Sequence, residues 1–190
     1  MIYGYTNVHT MWGLWIIVIS LCLVSAIYDL TERRIPNILT LPAWGAGLLF
    51  AGIHAGPEGL FISFAASIVA ALPYLILFLF AGGGAGDVKL MAAVGAWVGF
   101  PGTLFVLAGV SLAAVVFALA WSLVHRQVGR VAGNLKLIGL SAATLALGKA
   151  SRRDAAMMLP EGSAMVAMPY GVAIFLGVLA GAAGVWLWAR

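Results

Sequence analysis

The chain has 190 residues, of which 64% are hydrophobic and only 8% charged, and its mean hydropathy is +1.10. A soluble domain carries about 25% charged residues, so this composition excludes a water-soluble globule and points to a polytopic membrane protein. The net charge of +4 does not point to nucleic acid, because the basic residues lie in loops beside apolar runs. Those runs are continuous, which argues against the alternating strands of an outer-membrane barrel.

The N-terminal stretch MIYGYTNVHTMWGLW lacks a positive n-region. It reads as a short polar tail leading into a span, not as a cleaved signal. At roughly 20 residues per crossing, six spans are expected, at about 11–29, 36–54, 59–80, 86–100, 103–124 and 166–188. The fourth is short. Pro36 suits the first turn of the second span, where its missing N–H costs nothing. Pro73 lies inside the third and is a candidate kink, and Phe100-Pro101-Gly102 reads as a tight turn. Cys22, the lone cysteine, sits in an apolar run as a small hydrophobe. No disulfide within the chain and no CxxC metal site is possible.

The basic residues orient these spans. Arg33 and Arg34 follow the first span, Lys89 follows the third, and Arg126, Arg130, Lys136, Lys149, Arg152 and Arg153 separate the fifth and sixth. Six alternating spans put all nine on one face, the cytoplasmic one, and leave Arg190 on the other. Both termini are then outside the cytoplasm. Between the fifth and sixth spans, the apolar segment 134–149 reads as an interfacial helix on the inner leaflet, with further short membrane segments as the alternative. The expected fold is all-α: one integral-membrane domain over residues 1–190, with about six transmembrane helices and an interfacial cytoplasmic helix.

Of six acidic residues, Asp29 and Asp87 fall at membrane edges, and this topology puts both on the cytoplasmic side. An ionisable group at membrane depth is costly and is a functional candidate. Two carboxylates close together do not readily both ionise; the ionised member takes a proton from water and the protonated one donates to a carbonyl oxygen or a leaving amine. That is metal-free aspartic-peptidase chemistry. The bland reading stays open: Asp87 favoured by a helix N-terminus, and Asp29 paired with Arg33 one turn on. The glycines of AGGGAGD also admit several readings. A phosphate loop is disfavoured, since no Gly-Lys-Ser/Thr follows. Gly82 and Gly86 have the spacing of a helix-packing pair, and compliant backbone beside a substrate is the third reading. Lys89 reads as an interface residue reaching for headgroups. Gly177, Gly181 and Gly184 share a helical face suited to packing.

Three stretches together resemble the type IV prepilin peptidases. YDLTERRIPN, residues 28–37, resembles their first motif, in which an aspartate closes a helix and Ile-Pro-Asn opens the next. GAGDVKLMAAVG, 84–95, resembles their Gly-x-Gly-Asp-x-Lys-Leu motif, and MPYGVAI, 168–174, their proline-aromatic-glycine element. The resemblance implies a membrane aspartic endopeptidase without a cofactor or metal. Its work would be to remove the short basic leader of prepilins at the cytoplasmic face of the inner membrane. Asp29 and Asp87 match the catalytic aspartates. Pro36, Asn37, Gly84, Gly86, Lys89, Pro169, Tyr170 and Gly171 match surrounding positions and are candidates for substrate binding. Implied partners are prepilins with an apolar N-terminal helix, the lipid bilayer and the pilus assembly machinery, with no nucleic acid. Many members also carry an N-terminal methyltransferase region with two CxxC pairs. No such region is expected here, which resembles the short peptidase-only branch serving tight-adherence (Flp-type) pili. An archaeal preflagellin peptidase and a presenilin-like protease are the alternatives among enzymes. A proton-coupled transporter using both aspartates is the alternative of another class; it predicts acidic groups near the midplane and an inverted repeat, and the sequence has neither.

Overall fold

The computed structural model describes residues 8–81, 83–124 and 170–188. The segment 134–149 and Pro169 lie outside the described residues, so the interfacial helix expected there does too. Helix is the only regular structure among the described residues. Five helices appear: α1 (Val8–Glu32), α2 (Asn37–Ala81), α3 (Ala85–Val98), α4 (Gly102–Val124) and α5 (Tyr170–Trp188). The described residues up to Val115, together with Tyr170–Trp188, form one compact unit, and Val116–Val124 belong to a second.

The expected second and third spans are joined in α2, whose 45 residues are interrupted at Gly56, with φ 65° and ψ −160°. That backbone conformation is open essentially to glycine alone. Pro57 follows, at the start of the helical segment after the break, where its missing N–H costs nothing. Pro42 and Pro73 also lie inside α2, but only Gly56 leaves helical backbone, between the expected second and third spans. Among the described residues, three helices are long and apolar enough to cross a membrane: Trp12–Glu32, Asn37–Leu79 and Tyr170–Trp188, with Gly102–Phe117 a shorter apolar helix. The 43 residues of Asn37–Leu79 take in the second and third expected spans, either side of Gly56.

The outward faces carry large apolar side chains, with Ile16 63%, Ile38 84% and Ile53 79% exposed. Surfaces of this kind are stable only against lipid or another apolar partner, and the protein is an integral membrane protein.

The core is built around α3. Eight of its residues are buried: Leu90, Met91, Ala93, Val94, Gly95, Ala96, Trp97 and Val98. A helix covered on all sides is a core helix, and its 14 residues span only about 21 Å at 1.5 Å each, less than the roughly 30 Å hydrocarbon layer. The two halves of α2 enclose it. On one side the Trp97 indole N–H donates to the Ala43 carbonyl at 2.8 Å, and its ring tilts against Phe50. On the other, the Ser63 hydroxyl donates to the Ala96 carbonyl at 2.7 Å, and Gly95 lies directly against Ala66 and Ala70. Gly99, at φ 60°, ends α3 with its N–H on the Gly95 carbonyl at 2.9 Å. The turn expected at 100–102 leads at once into α4.

The glycine face expected in the last span is a packing face. Gly177 sits against Val110, Gly181 against Val106 and Gly184 against the Phe105 ring. The paired positions run in opposite order along α4 and α5, so these helices are antiparallel.

Candidate active site

The site begins with the inward stripe of α1. Leu14, Val18, Cys22 and Ser25 are buried at helical spacing, and Asp29 continues the stripe one turn on. Arg33 closes the helix with φ 52°, donating its backbone N–H to the Asp29 carbonyl at 3.1 Å. The Asp29 carboxylate is engaged elsewhere. The Gly171 N–H, in the first turn of α5, donates to Asp29 Oδ2 at 2.7 Å. The first N–H groups of a helix have no partner within it, and they form a natural seat for a carboxylate. Gly171 is buried, and a Cβ there would lie 2.9 Å from the Asp29 Cβ and 3.1 Å from Oδ2. The backbone of α5 approaches Asp29 this closely because residue 171 has no side chain.

Asp87 lies in the first turn of α3, after N-cap Gly84. Its N–H donates to the Gly84 carbonyl at 3.2 Å. Its carboxylate folds back over Gly84, where an added Cβ would lie 2.8 Å from Oδ2. Gly83 donates to the Leu77 carbonyl at 3.2 Å and so ties this glycine stretch to the end of α2. Gly86 faces the linker between α1 and α2, and a Cβ there would lie 3.0 Å from that of Ile35. Of the readings open for these glycines, close packing describes Gly86, with Ile35 as its neighbour; Gly82 lies outside the described residues.

Lys89, expected to reach for headgroups, donates from Nζ to Asn37 Oδ1 at 2.8 Å. The bond ties α3 to the start of α2, just after Pro36, whose carbonyl accepts the Leu39 N–H at 3.1 Å. One end of the unit thus gathers the C-terminus of α1, the start of α2, the start of α3 and the start of α5. Asp29 and Asp87 lie within electrostatic reach of each other there. Tyr170, the first residue of α5, lies within the same reach of Asp87. Nine of the ten site residues named from sequence converge on this end; Pro169 lies outside the described residues. Two neighbours were missed. Ile35 is an ordinary buried aliphatic, and Tyr74 is one aromatic inside a long apolar run. Neither carries a local mark in the sequence.

The model of the type IV leader peptidase family matches residues 16–119, which includes Asp29 and Asp87. Among curated proteins, the chain is similar to a prepilin leader peptidase/N-methyltransferase of Pectobacterium carotovorum subsp. carotovorum, 34% identical over 122 residues, covering 58% of this chain and 42% of that protein. It is likewise similar to proteins of the same description from Burkholderia pseudomallei K96243, at 36% over 115 residues (54% of this chain, 35% of that protein), and from Klebsiella pneumoniae, at 34% over 96 residues (45% and 40%). The matches span less than half the length of these relatives. No solved structure matches the chain significantly.

Proposed function

The chain belongs to the type IV leader peptidase family, and on that premise we propose that it is a membrane-embedded aspartic endopeptidase that removes the leader of type IV prepilins. Asp29 and Asp87 are the catalytic pair in this reading, and the cleavage faces the cytoplasm. The observation that carries it is the gathering of both carboxylates at one end of the helical unit, with Asp29 held by the Gly171 N–H at 2.7 Å and Asp87 within its electrostatic reach.

The chemistry follows from a pair that shares one proton. Water adds to the scissile carbonyl carbon and gives its proton to the ionised carboxylate. The other carboxyl gives its proton to the carbonyl oxygen, forming a gem-diol. On collapse the C–N bond breaks, the amine nitrogen takes a proton from the first carboxyl, and the second recovers one from a gem-diol hydroxyl. The pair returns to its starting state. In this reading Gly84 presents compliant backbone beside Asp87 and Gly86 packs on Ile35, while Lys89, Asn37 and Pro36 brace the other wall. The Flp-type assignment rests on the wording of MPYGVAI.

The test is co-expression with a leader-bearing prepilin. Wild type is expected to process it, and Asp29→Asn and Asp87→Asn are each expected to abolish processing. Normal cleavage by either variant would remove that aspartate from the pair.

A further inference from the structure

Tyr74 belongs to neither aspartate's helix and to none of the matched motifs, yet the fold turns it toward them. Along the second half of α2, Ser63, Ala66, Ser67 and Ala70 are buried, at helical spacing that places Tyr74 next on the same face. Tyr74 is half-buried against the core, whereas Leu72, Leu75, Ile76, Leu77, Phe78 and Leu79 are all exposed. It is therefore the last inward-facing residue of α2 before the glycine stretch.

The register against α3 gives its depth. Ser63 bonds to Ala96, and Ala66 and Ala70 lie against Gly95. The two segments run antiparallel, so each further turn along α2 meets an earlier turn of α3. Tyr74, one turn past Ala70, comes level with about Met91, one turn from Asp87. Its hydroxyl lies within electrostatic reach of both Asp87 and Tyr170. Among the described residues that hydroxyl has no hydrogen-bond partner.

Building on the aspartic-peptidase reading, we propose that Tyr74 is a further catalytic residue, whose hydroxyl donates a hydrogen bond to the oxygen of the scissile carbonyl as that oxygen becomes a gem-diol hydroxyl. Tyr74 keeps its proton throughout, and the proton transfers remain those of the two carboxyls. A preplaced donor aimed at the developing oxygen stabilises the transition state more than the ground state. The substrate class implied is a peptide whose carbonyl enters between the second half of α2 and the start of α5.

The experiment measures kcat and KM for leader removal by the full chain in proteoliposomes, with Tyr74→Phe, Tyr170→Phe and wild type side by side. Phenylalanine keeps the ring and its packing, and equal melting temperatures in detergent establish that the fold is kept. Tyr74→Phe is expected to lower kcat about 100-fold with KM within about twofold of wild type, and with the shape of the pH–rate profile retained. Wild-type kcat in Tyr74→Phe, or a change in KM alone, would overturn the role while leaving the aspartate pair in place. Should wild type itself cleave no prepilin, both the peptidase reading and this role fall together, a result separate from a silent Tyr74→Phe.

Discussion

A methyl group on Gly171 would lie 2.9 Å from the Asp29 Cβ, closer than real side chains approach, and the obstacle is not the mobile end of a side chain. Gly171→Ala is therefore expected to push the start of α5 off Asp29 and weaken the 2.7 Å bond. A hydrogen bond to a carboxylate contributes about 1–3 kcal/mol, so leader cleavage should fall roughly 10- to 100-fold, at about 1.4 kcal/mol per decade. Kinetics on purified protein, with its melting temperature measured alongside, would check this. Lys89 and Asn37 make a second residue-scale prediction. Their 2.8 Å bond is exposed, so Lys89→Met or Asn37→Ala should cost at most about 1 kcal/mol of stability. The double variant should be no worse than the worse single one, which a double-mutant cycle on melting temperatures reads directly. The types of these residues and their motif spacing were legible in the sequence. Their partners were not: Lys89 reaches Asn37 across 52 positions, and no local pattern encodes such a pairing.

Two glycines at element boundaries share a backbone conformation that side chains rarely adopt, Gly56 (φ 65°, ψ −160°) and Gly99 (φ 60°, ψ −164°). Replacing either with alanine should cost about 1–3 kcal/mol through backbone strain. Gly56 is the cleaner case, since no atom lies within 4 Å of an added Cβ. Gly13 and Gly45 are the controls: they too have open space around them, without the positive φ. Alanine at either helical position should be neutral or stabilising by about 0.5–1 kcal/mol. Thermal unfolding in detergent separates the two pairs. A Gly177→Val change acts differently, by driving a side chain into the Val110 backbone, and should cost about 1–3 kcal/mol as overpacking. The sequence marks each boundary through Gly, Pro and apolar run length. It does not distinguish a loop between two spans from a single glycine break within α2, because both need a glycine before a proline.

At the scale of the whole molecule, the positive-inside pattern predicts that positions 34 and 190 face opposite sides of the membrane. In a Cys22→Ser background, Arg34→Cys and Arg190→Cys should react with a membrane-impermeant maleimide from opposite faces of oriented vesicles. Native Cys22, free and fully buried, should stay unlabelled until the protein unfolds. Composition alone determined that this is a helical membrane protein, since 8% charged residues cannot solvate a globule of this size. The short motifs determined its family, because Asp29 and Asp87 each sit in a distinctive local pattern. Only the tertiary structure decided that α3 is a buried core helix of 14 residues, that Gly171 rather than Arg33 holds the Asp29 carboxylate, and that Tyr74 packs against the core. In lipid nearly every surface is apolar, so hydropathy does not separate a face turned to the bilayer from one turned to another helix. That distinction comes from close packing and hydrogen bonds between residues far apart in the chain.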